Sequence, residues 1–201
     1  MTGSQGRASR RRKVLRILLP VMTMVWMCLI FRMSAQPADD SAELSLSVGE
    51  MIGRFLIPDF DSWPEEEQTA WASRIDHPVR KLAHGMEYMI LGILLTLDAR
   101  IYAREGRRMI QKHISDRPAK AGRKELLLSE AAIWMTGTLY ACTDEWHQLY
   151  VPGRSCQFRD ILIDSGGVLA GMLLTGLTAE IRRHGSGPES RGKMSVDKKQ
   201  P

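Results

Sequence analysis

Ionisable and polar residues recur at helical spacing in three stretches of this chain. Lys81, His84 and Tyr88 fall on one helical face, with Glu87 three residues beyond His84. Asp144 and His147 are three residues apart, as are Glu145 and Gln148. Asp160 and Asp164 stand one turn apart, and Arg154 and Arg159 lie in the connection that precedes them. Two histidines, several carboxylates and two arginines suit three kinds of chemistry. They could bind a divalent metal, or exchange protons as general acids and bases. They could also hold an anionic headgroup through Arg154 and Arg159, whose guanidinium forks match phosphate. No complete metal-ligand motif is present, so no residue is assigned as a metal ligand. There is also no glycine-rich phosphate loop, serine nucleophile elbow or zinc-protease helix motif. Each reading has a plainer counterpart. His84 and Glu87 could hydrogen-bond between helices, and Glu145 with Arg154 could be a salt bridge that fastens a loop.

The elements that must position these residues are apolar helices. The first run is Val14 to Phe31, interrupted by Arg16 near its start and preceded by Arg10, Arg11, Arg12 and Lys13. A basic block beside an apolar helix holds that end in the cytoplasm. The alternative is a cleaved signal peptide, for which Met33-Ser34-Ala35 is a passable cleavage context. The second run, Leu82 to Leu97, is about 24 Å long as a helix, and its start is expected near Pro78. Taken alone it could be a buried helix of a soluble protein. The third run is Leu126 to Cys142, continuing helically to Gln148, and the fourth is Ile161 to Ile181. Gly166, Gly167, Ala170 and Gly171 in the fourth permit close helix packing. The expected fold is therefore all-α, a four-span transmembrane bundle with spans about 14–33, 79–97, 125–146 and 160–181.

Loop charges orient the bundle. Residues 34–80 are strongly acidic, residues 98–124 strongly basic, and the tail resumes with Arg182 and Arg183. That order predicts both termini in the cytoplasm of a multi-pass cell-membrane protein. Residues 1–13 are then a cytoplasmic basic tail, 14–181 the membrane domain, and 182–201 a disordered cytoplasmic tail. The same topology puts Lys81, His84, Asp144, Glu145, His147, Asp160 and Asp164 at one level, near the outer leaflet. Arg154 and Arg159 are the exceptions to the charge rule there.

The outer segment is not featureless. Val48, Met51, Ile52 and Phe55 follow helical spacing, either as an interfacial helix or as a cover over the bundle's mouth. Ser62 and Pro64 followed by Glu65, Glu66 and Glu67 mark a short helix start, expected to run to about Ile75. Cys28, Cys142 and Cys156 fall near the outer surface; a Cys142–Cys156 bridge is allowed, but spacing and number do not demand one. The 201 residues are 44% hydrophobic and 25% charged with a net charge of +5. These averages hide the membrane pattern because apolar and charged stretches alternate. The basic excess lies in the flanks, and no nucleic-acid-binding signature accompanies it.

Three segments carry a family resemblance. FRMSAQPADDS (31–41) is similar to a serine- and proline-containing segment, and RKLAHGMEYMILGILL (80–95) to a Lys-x-x-His-x-x-x-Tyr helix. DEWHQLYVPGRSCQFRDILIDSGGVLAG (144–171) resembles a signature running from Asp-Glu-x-His-Gln through Pro-Gly-Arg to an Asp-rich helix start. Together these resemble the VanZ-like family of bacterial membrane proteins. The basic loop from Arg100 to Lys124 has no counterpart in that pattern. The family is named for low-level resistance to teicoplanin, a glycopeptide that acts on the cell wall. The resemblance therefore implies a cell-envelope role but assigns no catalytic residue.

The combined expectation is a protein that binds or modifies an anionic, lipid-linked or wall-associated substrate at the outer leaflet. Glu145, His147 and His84 are its acid–base candidates. Lys81, Tyr88, Asp144, Gln148, Arg154, Arg159, Asp160 and Asp164 are its binding candidates. Membrane lipids are the expected partners, nucleic acid is not, and no cofactor is assigned. The alternative is a non-enzymatic membrane scaffold in which the polar cluster is structural.

Overall fold

A computed structural model of the chain describes residues 2–113 and 123–185. Of the disordered tail expected over 182–201, residues 182–185 instead continue the last helix, Phe158–Gly185, and residues 186–201 lie outside the described residues, as do the basic residues Arg117 and Lys120. The described part is all-α. Helix α1 spans Thr2–Ser34. It takes in the basic tail that the sequence reading set apart, because arginine and lysine are good helix formers and extend an already nucleated helix. Its stretch Lys13–Ser34 is 22 residues long, about 33 Å, which matches a bilayer's hydrocarbon core of about 30 Å. Val14, Ile17, Val21, Met24 and Val25 are exposed along it.

Helix α2 spans Ala38–Leu56, and a single 3-10 turn, Phe60–Ser62, leads to α3, Glu65–His113. The helix expected to stop near Ile75 does not stop: it fuses with the second span into one 49-residue helix that runs through Pro78. Proline removes its own N–H bond to the carbonyl four residues back, and its ring crowds that carbonyl. Helix α3 packs on α2 at Ala72, before Pro78, and on the last helix at Gly85 and Met89, after it, which holds it together across the proline.

Helix α2 meets α3 through its small residues. Ser45, Gly49 and Gly53 are buried, and a Cβ on Gly49 would lie 3.1 Å from that of Ala72. Leu44, Met51 and Phe55 point outward instead, Phe55 at 88% exposure. The apolar stripe legible in the sequence is thus split: Val48 and Ile52 are half-buried, Met51 and Phe55 are not.

Helices α4, Arg123–Gln148, and α5, Phe158–Gly185, complete the set. Helix α3 is the hub and touches each of the other four. Ile30, Tyr88, Leu91, Ala141 and Val168 form the core where α1, α3, α4 and α5 converge. Among the described residues three helices are long and apolar enough to cross a membrane, with spans Lys13–Ser34, Glu65–Ala103 and Phe158–Arg182. Helix α4, 26 residues long, is not one of the three.

The α3–α5 contact is backbone against backbone. A Cβ on Gly167 would overlap the Gly85 carbonyl, and one on Gly171 the Met89 carbonyl. Gly166, by contrast, has nothing within 4 Å of its Cβ position. Gly167→Leu is therefore expected to cost about 3 kcal/mol or more of stability. Gly166→Leu should cost little. Thermal unfolding of both variants in one detergent tests the contrast, and equal losses would refute this account of the packing.

Candidate anion-binding cavity

A cavity of about 170 Å³ lies where α3, α4, α5 and the α4–α5 connection meet. Helical spacing explains its walls. His77, Arg80, Lys81 and His84 share one face of α3, and Asp160, Ile163 and Asp164 share one face of α5. The last turn of α4 contributes Glu145 and Gln148. The connection then folds back. Tyr150 and Val151 N–H groups donate to the His147 and Gln148 carbonyls, and Arg154 N–H donates to the Val151 carbonyl. Gly153 takes a left-handed φ of 74°, and a Cβ there would sit 2.8 Å from that of Ala38. With Ala38 N–H donating to the Pro152 carbonyl, this turn docks onto the start of α2 and swings Arg154 over the cavity.

The cations of the cavity differ in how they are committed. Lys81 is ion-paired with Asp160. Arg80 donates to Asp76 at 2.6 Å, and Asp76 also accepts from Ser45 on α2. Every hydrogen bond of Arg154 among the described residues goes instead to a neutral group. Its Nε–H donates to the Gln36 carbonyl at 2.9 Å. Its Nη1 and Nη2 groups reach Gln148 Oε1 and the Met33 carbonyl at 3.5 Å each. Burial, and then the nearby Arg80 charge, lower its pKa from the ordinary arginine value. An arginine starts high enough to stay cationic regardless.

The acids are held more firmly. Asp144 is buried, with Oδ2 accepting from Ser34 Oγ at 2.7 Å and from Gln148 Nε2 at 3.4 Å. Glu145, also buried, accepts the Gln157 N–H at 3.0 Å through Oε2. Several buried polar atoms have no hydrogen-bond partner among the described residues. They are His84 Nδ1, Glu87 Oε2, Tyr88 OH, Asp144 Oδ1, His147 Nε2 and Asp164 Oδ1, besides Asp98 Oδ1 away from the cavity. His84 Nδ1 and Glu87 Oε2 stand 3.7 Å apart, too far for a hydrogen bond. Buried polar atoms are nearly always satisfied, so His84 and Asp164, which line the cavity, are suited to a polar ligand. Among the described residues no group of three or more His, Cys, Asp or Glu side chains could hold a metal ion.

A family model, VanZ/LLP1, matches residues 19–179 of the chain. The chain belongs to the VanZ/LLP1 family. No curated protein and no solved structure matches it. Every residue that lines the cavity falls inside the stretch matched to VanZ/LLP1.

In this VanZ/LLP1 protein the candidate residues do not all gather in one place. Lys81, His84, Glu145, Gln148, Arg154, Asp160 and Asp164 line the cavity. Asp144 lies just behind Gln148, hydrogen-bonded to it. His147 turns away and stacks on Phe31, with ring centroids 4.2 Å apart. Tyr88 is buried in the core. Arg159 is exposed and lines a separate, open groove. The three cysteines are free and exposed.

Four contributors escaped the sequence reading: His77, Arg80, Ser34 and the Gln157 N–H. His77 and Arg80 follow from one signal, since they continue the Lys81–His84 face backward by helical steps. Placing the start of the span near Pro78 leaves out His77, while Arg80 lies inside the expected 79–97 span. No local signal marks Ser34 or Gln157, because their roles depend on where α1 and the α4–α5 turn come to rest.

Proposed function

We propose that this protein is a four-span protein of the cell envelope that binds the anionic group of a lipid-linked or wall-associated molecule at the outer leaflet. The observation that carries the reading is Arg154, a half-buried guanidinium held over a polar cavity by neutral acceptors alone. Such a fork is pre-aimed at phosphate or carboxylate. Arg80 and Lys81 line the same walls, paired with Asp76 and Asp160, which leaves Arg154 as the cation without a carboxylate partner among the lining residues. Glu145 and His84 also line the cavity and are the groups placed to exchange protons with a bound ligand. Two features favour α4 as the fourth crossing. It packs against α3 and α5, and it exposes Leu127, Leu128, Met135 and Leu139 as a lipid-facing helix would. The basic stretch between α3 and α4, against the acidic α1–α3 segment, supports a topology with both termini in the cytoplasm and the cavity outside.

Deletion of the gene is expected to raise teicoplanin susceptibility. Wild type should complement it, whereas Glu145→Gln and Arg154→Ala should not. Full complementation by both variants, each well expressed, would sink the reading.

A scaffold role has its own support: Asp144–Ser34 and Glu145–Gln157 tie helix ends together as structural polar contacts do. Under that reading a stoichiometric protein partner co-purifies, and the purified protein does not bind inorganic phosphate.

A further inference from the structure

The cavity is too small to hold a whole envelope molecule. At about 170 Å³ it has room for a phosphate and a few attached atoms. Pockets that enclose a drug-sized ligand run to about 300–1,000 Å³. The rest of any natural ligand must lie elsewhere, and the fold offers a place. An open groove of about 490 Å³ runs between α3 and α5, lined by Pro78, Leu82, Gly85, Ile163, Lys81 and Arg159, with His77 at its edge. His77, Lys81 and Ile163 line both the groove and the cavity, so the two share a wall.

We infer that the ligand is a membrane lipid with a phosphate headgroup, which enters sideways between α3 and α5. Its headgroup reaches Arg154 while its chain lies along the groove. This rests on the reading of the cavity as an anion site and specifies the class of molecule that carries the anion. Both helices that form the groove are long and apolar enough to span a membrane, and the groove opens outward beside the exposed Leu82, a side on which a lipid chain could lie. Its lining grades from charged to apolar in the sense a lipid requires. Lys81 and Arg159 stand on the headgroup side, and Leu82, Gly85 and Ile163 line the chain side. Gly85 leaves the floor open: a Cβ there would meet only Ile163 Cγ2, at 3.4 Å, and any longer side chain would fill the slot.

The shared wall also carries a switchable contact. Lys81 is paired with Asp160 at the junction. A passing phosphate would compete with Asp160 for Lys81, and the displaced carboxylate would have to be taken up by water at the open groove or by a proton. Arg159 gains a role on this account. It is exposed at the groove's rim, where a cation draws anionic headgroups toward the opening.

The test compares two probes against the purified full chain in a neutral maltoside detergent, by titration calorimetry: inorganic phosphate and dodecyl phosphate. Wild type is expected to bind dodecyl phosphate at least about tenfold more tightly, since each buried methylene adds to affinity. Gly85→Leu should bring the two probes within about twofold of each other. Leu82→Trp, at a position already 65% exposed and so tolerant of replacement, should do the same. Equal binding of both probes to wild type overturns the lateral path and leaves the anion site standing. Binding of neither overturns both. A dodecyl preference that survives in both groove variants shows that the chain lies elsewhere and overturns the inference.

Discussion

Arg154→Ala is expected to weaken binding of inorganic phosphate to the purified protein by about a hundredfold. Truncating one partner of a buried, hydrogen-bonded charge pair costs about 2–5 kcal/mol, and about 1.4 kcal/mol is a factor of ten. A hundredfold is therefore near the lower end of that range. The estimate is kept low because Arg80 and Lys81 line the same walls and retain part of the attraction. Arg154→Lys should recover little. Lysine restores a positive charge but not the planar fork, and it cannot reproduce three separate reaches to Gln36, Met33 and Gln148.

These same contacts create the obvious confusion. Arg154 clamps the α4–α5 turn to the link between α1 and α2, so its loss also loosens the fold locally. Phosphate affinity and thermal midpoint should therefore be read together. A clamp alone predicts that the thermal midpoint falls for Ala and that phosphate does not bind wild type appreciably. An anion site predicts an affinity loss that outruns any stability loss. If both variants keep wild-type phosphate affinity while folded, the anion is not held at Arg154.

Much of this arrangement is legible in the sequence, because period and charge are local signals. The apolar run from Val14 to Phe31 and the small residues Gly167 and Gly171 announce a spanning helix and a close helix pair. The structure contains a helix there that is long and apolar enough to span, and the close α3–α5 pair. Seven of the candidate residues line one cavity for the same reason. Lys81 with His84 and Asp160 with Asp164 are each one helical step apart, so any fold that keeps the helices keeps those pairs on one face. What could not be read is tertiary. Pro78 is a plausible helix start by local chemistry, yet α3 runs through it and adds His77 to the wall. His147 is three residues from Asp144 in sequence, but stacking on Phe31 of α1 claims its ring. Arg154 and Arg159 look like one pair of outer arginines. The Gly153 turn sends the first over the cavity, and the start of α5 leaves the second on the open groove.

The Ser34–Asp144 contact offers the sharpest way to separate a binding site from a structural tie. Ser34 is wholly buried, and its hydroxyl is the short partner of Asp144 Oδ2. Asp144 Oδ1 already lacks a partner among the described residues. Ser34→Ala leaves that buried carboxyl with only the long Gln148 contact, so about 1–3 kcal/mol of stability should be lost. Adding Asp144→Leu removes the stranded carboxyl with a side chain of nearly the same shape. Replacing both partners of a buried hydrogen bond by apolar groups is close to neutral, so the double variant should regain most of the loss, to within about 1 kcal/mol of wild type. Stability measured by thermal unfolding in detergent then follows a non-additive cycle. Phosphate binding is where the two roles diverge. If Asp144 only fastens α1 to α4, the double variant recovers binding along with stability. If Asp144 positions Gln148, and through it the Nη1 edge of Arg154, stability returns and affinity does not. The second outcome is expected, because Gln148 is the only side chain among Arg154's hydrogen-bond acceptors in the described residues, and Asp144 is what holds it.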